Sequence, residues 1–258
     1  MTFAWLFKNS SLSDVSVYDI NVIEIESDLV RKHTFESGNV GRIIALAGEL
    51  EANVKSDLTN RVICVRDRDL CLSNPTPSNF KYLLFTDYSS LDIHLFDSNS
   101  ISDLAIKVLR RTDFNADICI NQMAPILNEL FAIRIAKKKL SISLDMLPLT
   151  KYLSNANGEL KFDKMQYVNN FICRERFASA LPDFNSELDT LRETLTHNYV
   201  HYVHARDYEE LLTYYLKKVC NINAQVDKDS IGHQLFGCAQ KELFLKSQLF
   251  DEIRRRFR

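Results

Sequence analysis

Two aspartates one residue apart close the stretch VICVRDRDL (62–70). The apolar, β-branched run before them reads as a buried strand, and residues two apart on a strand share a face. On that reading Asp67 and Asp69 point one way and Arg66 and Arg68 the other. Side-by-side carboxylates repel and are costly to bury unpaired. A hard divalent cation resolves both problems, because Mg²⁺ takes one or two carboxylates and completes its shell with water and phosphate oxygens. Such an ion neutralises charge on a phosphate or activates a water. Upstream, Glu24 and Glu26 end a second strand-like run, NVIEIE (21–26). If the two strands are neighbours, one glutamate and two aspartates converge at the carboxyl ends of the strands, where open α/β sheets hold their ligands. The plainer alternative is that acids at strand ends cap the helices that follow, and D-x-D recurs in chains that use it for nothing else.

The elements that would position these acids alternate. Residues 40–55 carry Ile43, Ile44, Ala47 and Leu50 at helical spacing, RVICVRD is a strand, LSNPTPSN (72–79) a breaker-rich loop, and KYLLFTD (81–87) another strand. SISDLAIKVLRR (100–111) follows as an amphipathic helix with Ser102 as its N-cap. This order predicts an α/β domain over 1–113, a mainly parallel sheet flanked by helices. Beyond it, helical patterns at 120–140, 162–177, 184–203, 208–219 and about 232–257 predict an α-helical region over 114–258.

The 258 residues carry a net charge of -2, with 46% hydrophobic and 26% charged residues. That balance excludes a strongly basic nucleic-acid binder, so any polyanion contact falls on local patches. Two exist: Lys137, Lys138 and Lys139 with Arg134, and the tail Arg254, Arg255, Arg256 and Arg258 with Phe257 interleaved. Either could grip an RNA backbone, and either is equally served by the favourable placing of cations at helix C-termini. His197, His201 and His204 fall on one helical face, but three on a straight helix span about 10 Å, too far for one ion. The six cysteines form no C-x-x-C pair and read as reduced thiols. No run approaches the length of a membrane span, no basic segment precedes MTFAWLF as in a signal peptide, and no P-loop is present. The expected compartment is the cytoplasm.

IES (25–27), VRDRDL (65–70) and FTDYSSLDIHLF (85–96) together resemble the Toprim-like DUF4435 family. Its members carry a VEG strand end, a VDrD strand end and a TDyhdlE segment in this order. The resemblance spans residues 18–100, with an echo in HARDYEELL (204–212). It implies a Toprim-like fold, Glu26 as general acid/base and metal ligand, Asp67 and Asp69 as metal ligands, and Asp92 as an outer acid where relatives have glutamate. The cofactor implied is Mg²⁺ or Mn²⁺, and the activity that of an endonuclease acting on RNA, transfer RNA in particular. The setting implied is abortive-infection defence against phage of the PARIS type, with an ATPase partner that holds the effector inactive and a homodimer as the active form. Ser27 departs from the family's glycine and narrows the room for a phosphate, which touches activity rather than fold. The rival reading is a Toprim-like module without catalysis, regulated by an ATPase. A D-x-D phosphatase is opposed by Leu70-Cys71 and by the earlier acidic strand.

Overall fold

The computed structural model of the chain describes residues 7–8, 12, 14–34, 36–54, 61–70, 81–174, 177–195, 199–222 and 226–257. The loop at 72–79, Cys71, His197 and Arg258 lie outside the described residues. In chain order the elements are α1 (Ser27–His33), α2 (Gly38–Asn53), β1 (Cys64–Arg66), β2 (Leu83–Phe85), α3 (Ser98–Asp103, continued by a π-helical turn Leu104–Val108) and α4 (Ala116–Lys139). There follow β3 (Leu153–Ala156), β4 (Glu159–Phe162), α5 (Lys164–Ile172), α6 (Leu181–Thr194) and α7 (Ala205–Tyr214, continued by a π-helical turn Tyr215–Val219). The last helices are α8 (Ile231–Cys238), α9 (Lys241–Leu245) and α10 (Gln248–Phe257). The protein is mixed α/β and mostly helical. It divides into two compact units, Met1–Asp87 with Gln240–Arg258, and Tyr88–Ala239. The sequence-based boundary after residue 113 lies inside the second unit.

In the first unit β1 and β2 pair in parallel, with Cys64 opposite Leu83, Val65 opposite Leu84 and Arg66 opposite Phe85. The Cys64 N–H donates to the Tyr82 carbonyl at 2.7 Å and the Thr86 N–H to that of Arg66 at 3.0 Å. The apolar face of α2 covers this pair: Ala47 is buried with Cys64, Tyr82 and Leu83, and Ile43, Leu46 and Leu50 pack around them. Helix α1 is tied to α2 by Lys32 Nζ and His33 Nε2, each 2.6 Å from Glu49 Oε1, and Lys32 and His33 hold the Glu49 carboxyl down at about 2. Helix α10 buries Leu249, Phe250 and Ile253, and the Phe250 ring meets the edge of Phe7 at 5.8 Å between centroids.

The second unit is built on α4. Four consecutive residues, Leu130 to Ile133, are buried, as only a helix surrounded by packing partners can achieve. It contacts α3, α6, α7 and β4. Pro125 lies inside it and removes one intrahelical donor. On α6, Arg192 Nε reaches Glu129 Oε2 at 3.1 Å, clamping that helix to α4. The hairpin β3–β4 turns through Asn157 and Gly158, both at positive φ (55° and 88°), as a tight hairpin turn requires. Gln122 of α4 fixes it, accepting from the Leu160 N–H at 2.8 Å and donating to the Gly158 carbonyl at 3.2 Å.

Several expected elements take other forms. NVIEIE is not a strand: Ile20–Val22 form a 3₁₀ turn, seeded by Asp19, whose carboxylate accepts from the Asn21 N–H at 2.8 Å. Val22 is 71% exposed, and without a partner strand the alternation has nothing to cover. The N-cap of α3 is Asp97, which accepts from the Asn99 and Ser100 N–H groups, and not Ser102. The helix expected over 184–203 ends at Thr194, where Thr190 and Thr194 bond back to carbonyls four residues earlier, and Tyr199–Tyr202 form a 3₁₀ turn. His201 and His204 therefore do not share one continuous helical face. The helix expected over 232–257 is three helices, because Ala239 is extended and the Ser247 hydroxyl caps the start of α10 by accepting from the Phe250 N–H at 3.3 Å.

Candidate functional site

Strand β1 ends at Arg66, so strand alternation does not carry Asp67 and Asp69 to a common face. Asp67 is exposed beyond the strand's carboxyl end, and Asp69 sits in a turn at φ 52°, a left-handed conformation aspartate tolerates better than most residues. Arg66 stitches this turn together. Its Nε donates to the Asp67 carbonyl at 3.2 Å, its Nη2 lies 3.4 Å from Asp69 Oδ2, and its guanidinium carbon lies 5.3 Å from the centre of the Phe85 ring. The Arg68 N–H donates to Thr86 Oγ1 at 3.0 Å, locking the turn to the end of β2.

Glu26 is the exposed N-cap of α1 and its side chain makes no capping bond. Beside it opens a cavity of about 560 Å³, walled by Ile25, Ser27, Val30, Thr34 and the guanidinium residues Arg31 and Arg42. Arg42 Nη2 also donates to the Ile23 carbonyl, tying α2 to the segment before α1. Asp92 is exposed on a 3₁₀ turn, Leu91–Leu95, and belongs to the second unit, whereas Glu26, Asp67 and Asp69 belong to the first. Among the described residues no three histidines, cysteines, aspartates or glutamates gather closely enough to hold a metal ion. A cage of Glu26, Asp67 and Asp69 is thus not formed. Two exposed carboxylates, Asp67 and Asp69, still suit an ion that keeps several waters.

The basic patches are largely engaged. In α10, Arg254 pairs with Asp251 at 3.2 Å, Arg255 with Glu252 at 2.6 Å, and Arg256 with Glu252 at 2.7 Å, and Arg255 and Arg256 hold the Glu252 carboxyl at about 2. Lys139 pairs with Glu187 at 2.6 Å. Lys137 is half-buried and Lys138 exposed in the last turn of α4, where a cation also suits the helix dipole. Arg134 is no part of that patch: its Nε and Nη2 each lie 2.6 Å from an Asp207 oxygen, and Asp207 is 5% exposed.

His204 lies beside that pair as the residue before α7, and its Nδ1 is shut off from solvent with no hydrogen-bond partner among the described residues. Burial, with Arg134 adding to it, pushes the imidazole down to about 4. The unfolded chain takes up this proton near pH 6.5 and the folded one near 4, so stability contributed by His204 is present above pH 6.5 and is lost as pH falls to 4. We expect the second unit to lose about 2 kcal/mol across that window after allowance for partial solvent access. Urea midpoints measured from pH 7 to 4 should fall in the wild type and stay flatter in His204→Asn; parallel curves would dismiss the effect.

No family model, curated protein or solved structure matches the chain. Two features escaped the sequence. The β3–β4 hairpin had a signal, Asn157-Gly158 between strand-length runs. The Arg134–Asp207 pair had none, since 73 residues separate its partners. No helix among the described residues is long and apolar enough to cross a membrane.

Proposed function

We propose that the protein is a Mg²⁺- or Mn²⁺-dependent ribonuclease of Toprim-like type. The observation that carries this reading is the exposed pair Asp67 and Asp69 at the carboxyl end of a parallel strand, the position that open α/β sheets use for ligands. Asp67 and Asp69 would hold the ion, which when bound supplies positive charge to the scissile phosphate. Glu26, exposed and unspent in capping, is the residue for proton transfer. The resemblance to the Toprim nuclease effector of the PARIS system extends the proposal to transfer RNA as substrate, an ATPase as the restraining partner and a homodimer as the active form. Of the two basic patches, Lys137 and Lys138 are the groups still offered to RNA, since Lys139, Arg254, Arg255 and Arg256 already face acids.

A second reading, a binding module without catalysis, is favoured by the Arg66 contact to Asp69 and by the missing three-acid cage. One experiment separates the two. Purified dimer is incubated with total RNA in EDTA, Mg²⁺ or Mn²⁺, beside Asp67→Asn and Glu26→Gln. The nuclease reading expects discrete metal-dependent fragments that fall at least about 100-fold in each variant. Intact RNA with the wild-type dimer in both metals would sink it and leave the binding module.

A further inference from the structure

The turn after β1 holds two arginines with different fates. Arg66 is used up within the protein, on Asp69, on the Asp67 carbonyl and over the Phe85 ring. Arg68 is held in place by its backbone, which donates to the buried Thr86 hydroxyl, while its side-chain Nε is closed to solvent and has no hydrogen-bond partner among the described residues. Among the described residues no carboxylate pairs with it, and the nearest acid in sequence on the far side, Asp69, is already against Arg66. Buried polar atoms nearly always have a partner, so a charged donor with none among the described residues has to be met by a water or by a ligand's oxygen, and of the Arg68 nitrogens only Nε is enclosed in this way. The guanidinium fork matches the oxygens of a phosphate, and its charge is never lost.

We propose that Arg68 binds a non-bridging phosphate oxygen of a nucleic-acid strand laid across the end of β1. The turn fits that use: Thr86 and the positive φ of Asp69 fix the backbone on both sides of Arg68, so the side chain is presented from a rigid base. Asp67 and Asp69 flank it in sequence and are exposed, which disfavours a ligand that brings only carboxylates and favours one whose hard oxygens can share a divalent cation with them. The choice of nucleic acid rests on the ribonuclease reading; the orphaned donor does not.

The test uses the full chain, a fluorescent 5′-phosphorylated single-stranded RNA, and inorganic phosphate, with EDTA or Mg²⁺ present. Arg68→Met keeps the apolar stem and removes the donors; Arg68→Lys keeps the charge without the fork. We expect Arg68→Met to weaken RNA binding about 10-fold or more and to flatten the salt dependence by about one counterion, with Arg68→Lys intermediate. Loss of an orphaned donor should leave the melting temperature of the free protein unchanged or raise it by about 2 °C. A structural arginine would do the reverse, lowering the melting temperature and sparing affinity. Equal RNA affinity in wild type and Arg68→Met, or no binding of RNA or phosphate by the wild type in either condition, would overturn the proposal. Arg68-dependent binding by a protein that cuts nothing would keep this site and remove the nuclease. Cleavage by the wild type with affinity indifferent to Arg68 would do the opposite.

Discussion

Asp207→Ala is expected to cost the second unit about 3–5 kcal/mol, the loss typical when one partner of a buried ion pair is removed. The pair has the features that make such a loss large. Both guanidinium nitrogens that face Asp207 lie 2.6 Å from its oxygens, a two-point geometry that a lysine could not reproduce. Asp207 is 5% exposed, so water cannot replace it beside Arg134. It also lies in the first turn of α7, where its charge complements the helix dipole. Removing the carboxylate leaves a half-buried cation between α4 and α7. Arg134→Met should be milder, because the partner left behind sits at a helix N-terminus and its surroundings partly stabilise it. Arg134→Met with Asp207→Leu should recover much of the loss, since a packed apolar pair carries no desolvation cost. Urea denaturation of the wild type, both singles and the double gives the coupling energy directly. Single variants within about 0.5 kcal/mol of wild type would show that apolar packing alone joins these helices.

The helices of the second unit were legible where burial is continuous. In α4, Ile120, Met123, Leu127 and Leu130 recur at helical spacing and all are buried, so period and environment agree. Legibility failed where pattern and partner separate. NVIEIE alternates like a strand, yet a strand exists only through its neighbour, and nothing local in the sequence says whether one is supplied. The run from 232 onward keeps a helical period through Ala239 and Ser247, where backbone and hydroxyl geometry break it.

The candidate site divides in the same way. The spacing of Asp67 and Asp69 was plain in the sequence, and so was their place at the end of a strand. Their shared face was inferred from alternation, which stops at Arg66 and gives way to a left-handed Asp69. One positive φ re-aims every side chain after it. The same turn separates Arg66 from Arg68, which alternation had treated as equivalent. Charge counting likewise placed Arg134 with its neighbouring lysines, because only three-dimensional packing reveals that Asp207 takes it.

Gly41→Ala should be the most damaging single-methyl change in the first unit, at about 3 kcal/mol, the upper end of the usual overpacking range. A Cβ there would lie 2.3 Å from the Glu36 carbonyl oxygen and 3.0 Å from both its carbon and Val30 Cγ1. The obstacle is mainly backbone, so it cannot rotate away, and the roughly 1 kcal/mol that alanine gains over glycine in a helix offsets only part of the strain. Relief requires α2 to withdraw from α1 and the turn before it. Gly48→Ala meets an obstacle of a different kind, the His33 ring at 2.4 Å. The ring is 11% exposed and its Cγ also lies at 2.8 Å, so it must give up its Glu49 contact to make room, while Lys32 keeps its own, and about 1–2 kcal/mol is expected. Gly237→Ala, in α8 of the second unit, has nothing within 4 Å and should stabilise by about 0.5–1 kcal/mol. The order Gly41, Gly48, Gly237 is the measurable outcome, read from urea midpoints with hydrogen exchange to localise each effect. A Gly41→Ala protein as stable as wild type would mean that α1 is free to move on α2. That result would matter for chemistry as well, because α1 carries Glu26 at its start and the cavity walls Ser27 and Val30 along its length. On the ribonuclease reading proposed above, Glu26 would need a fixed base to transfer a proton, and Gly41 is what lets α2 come close enough to provide one.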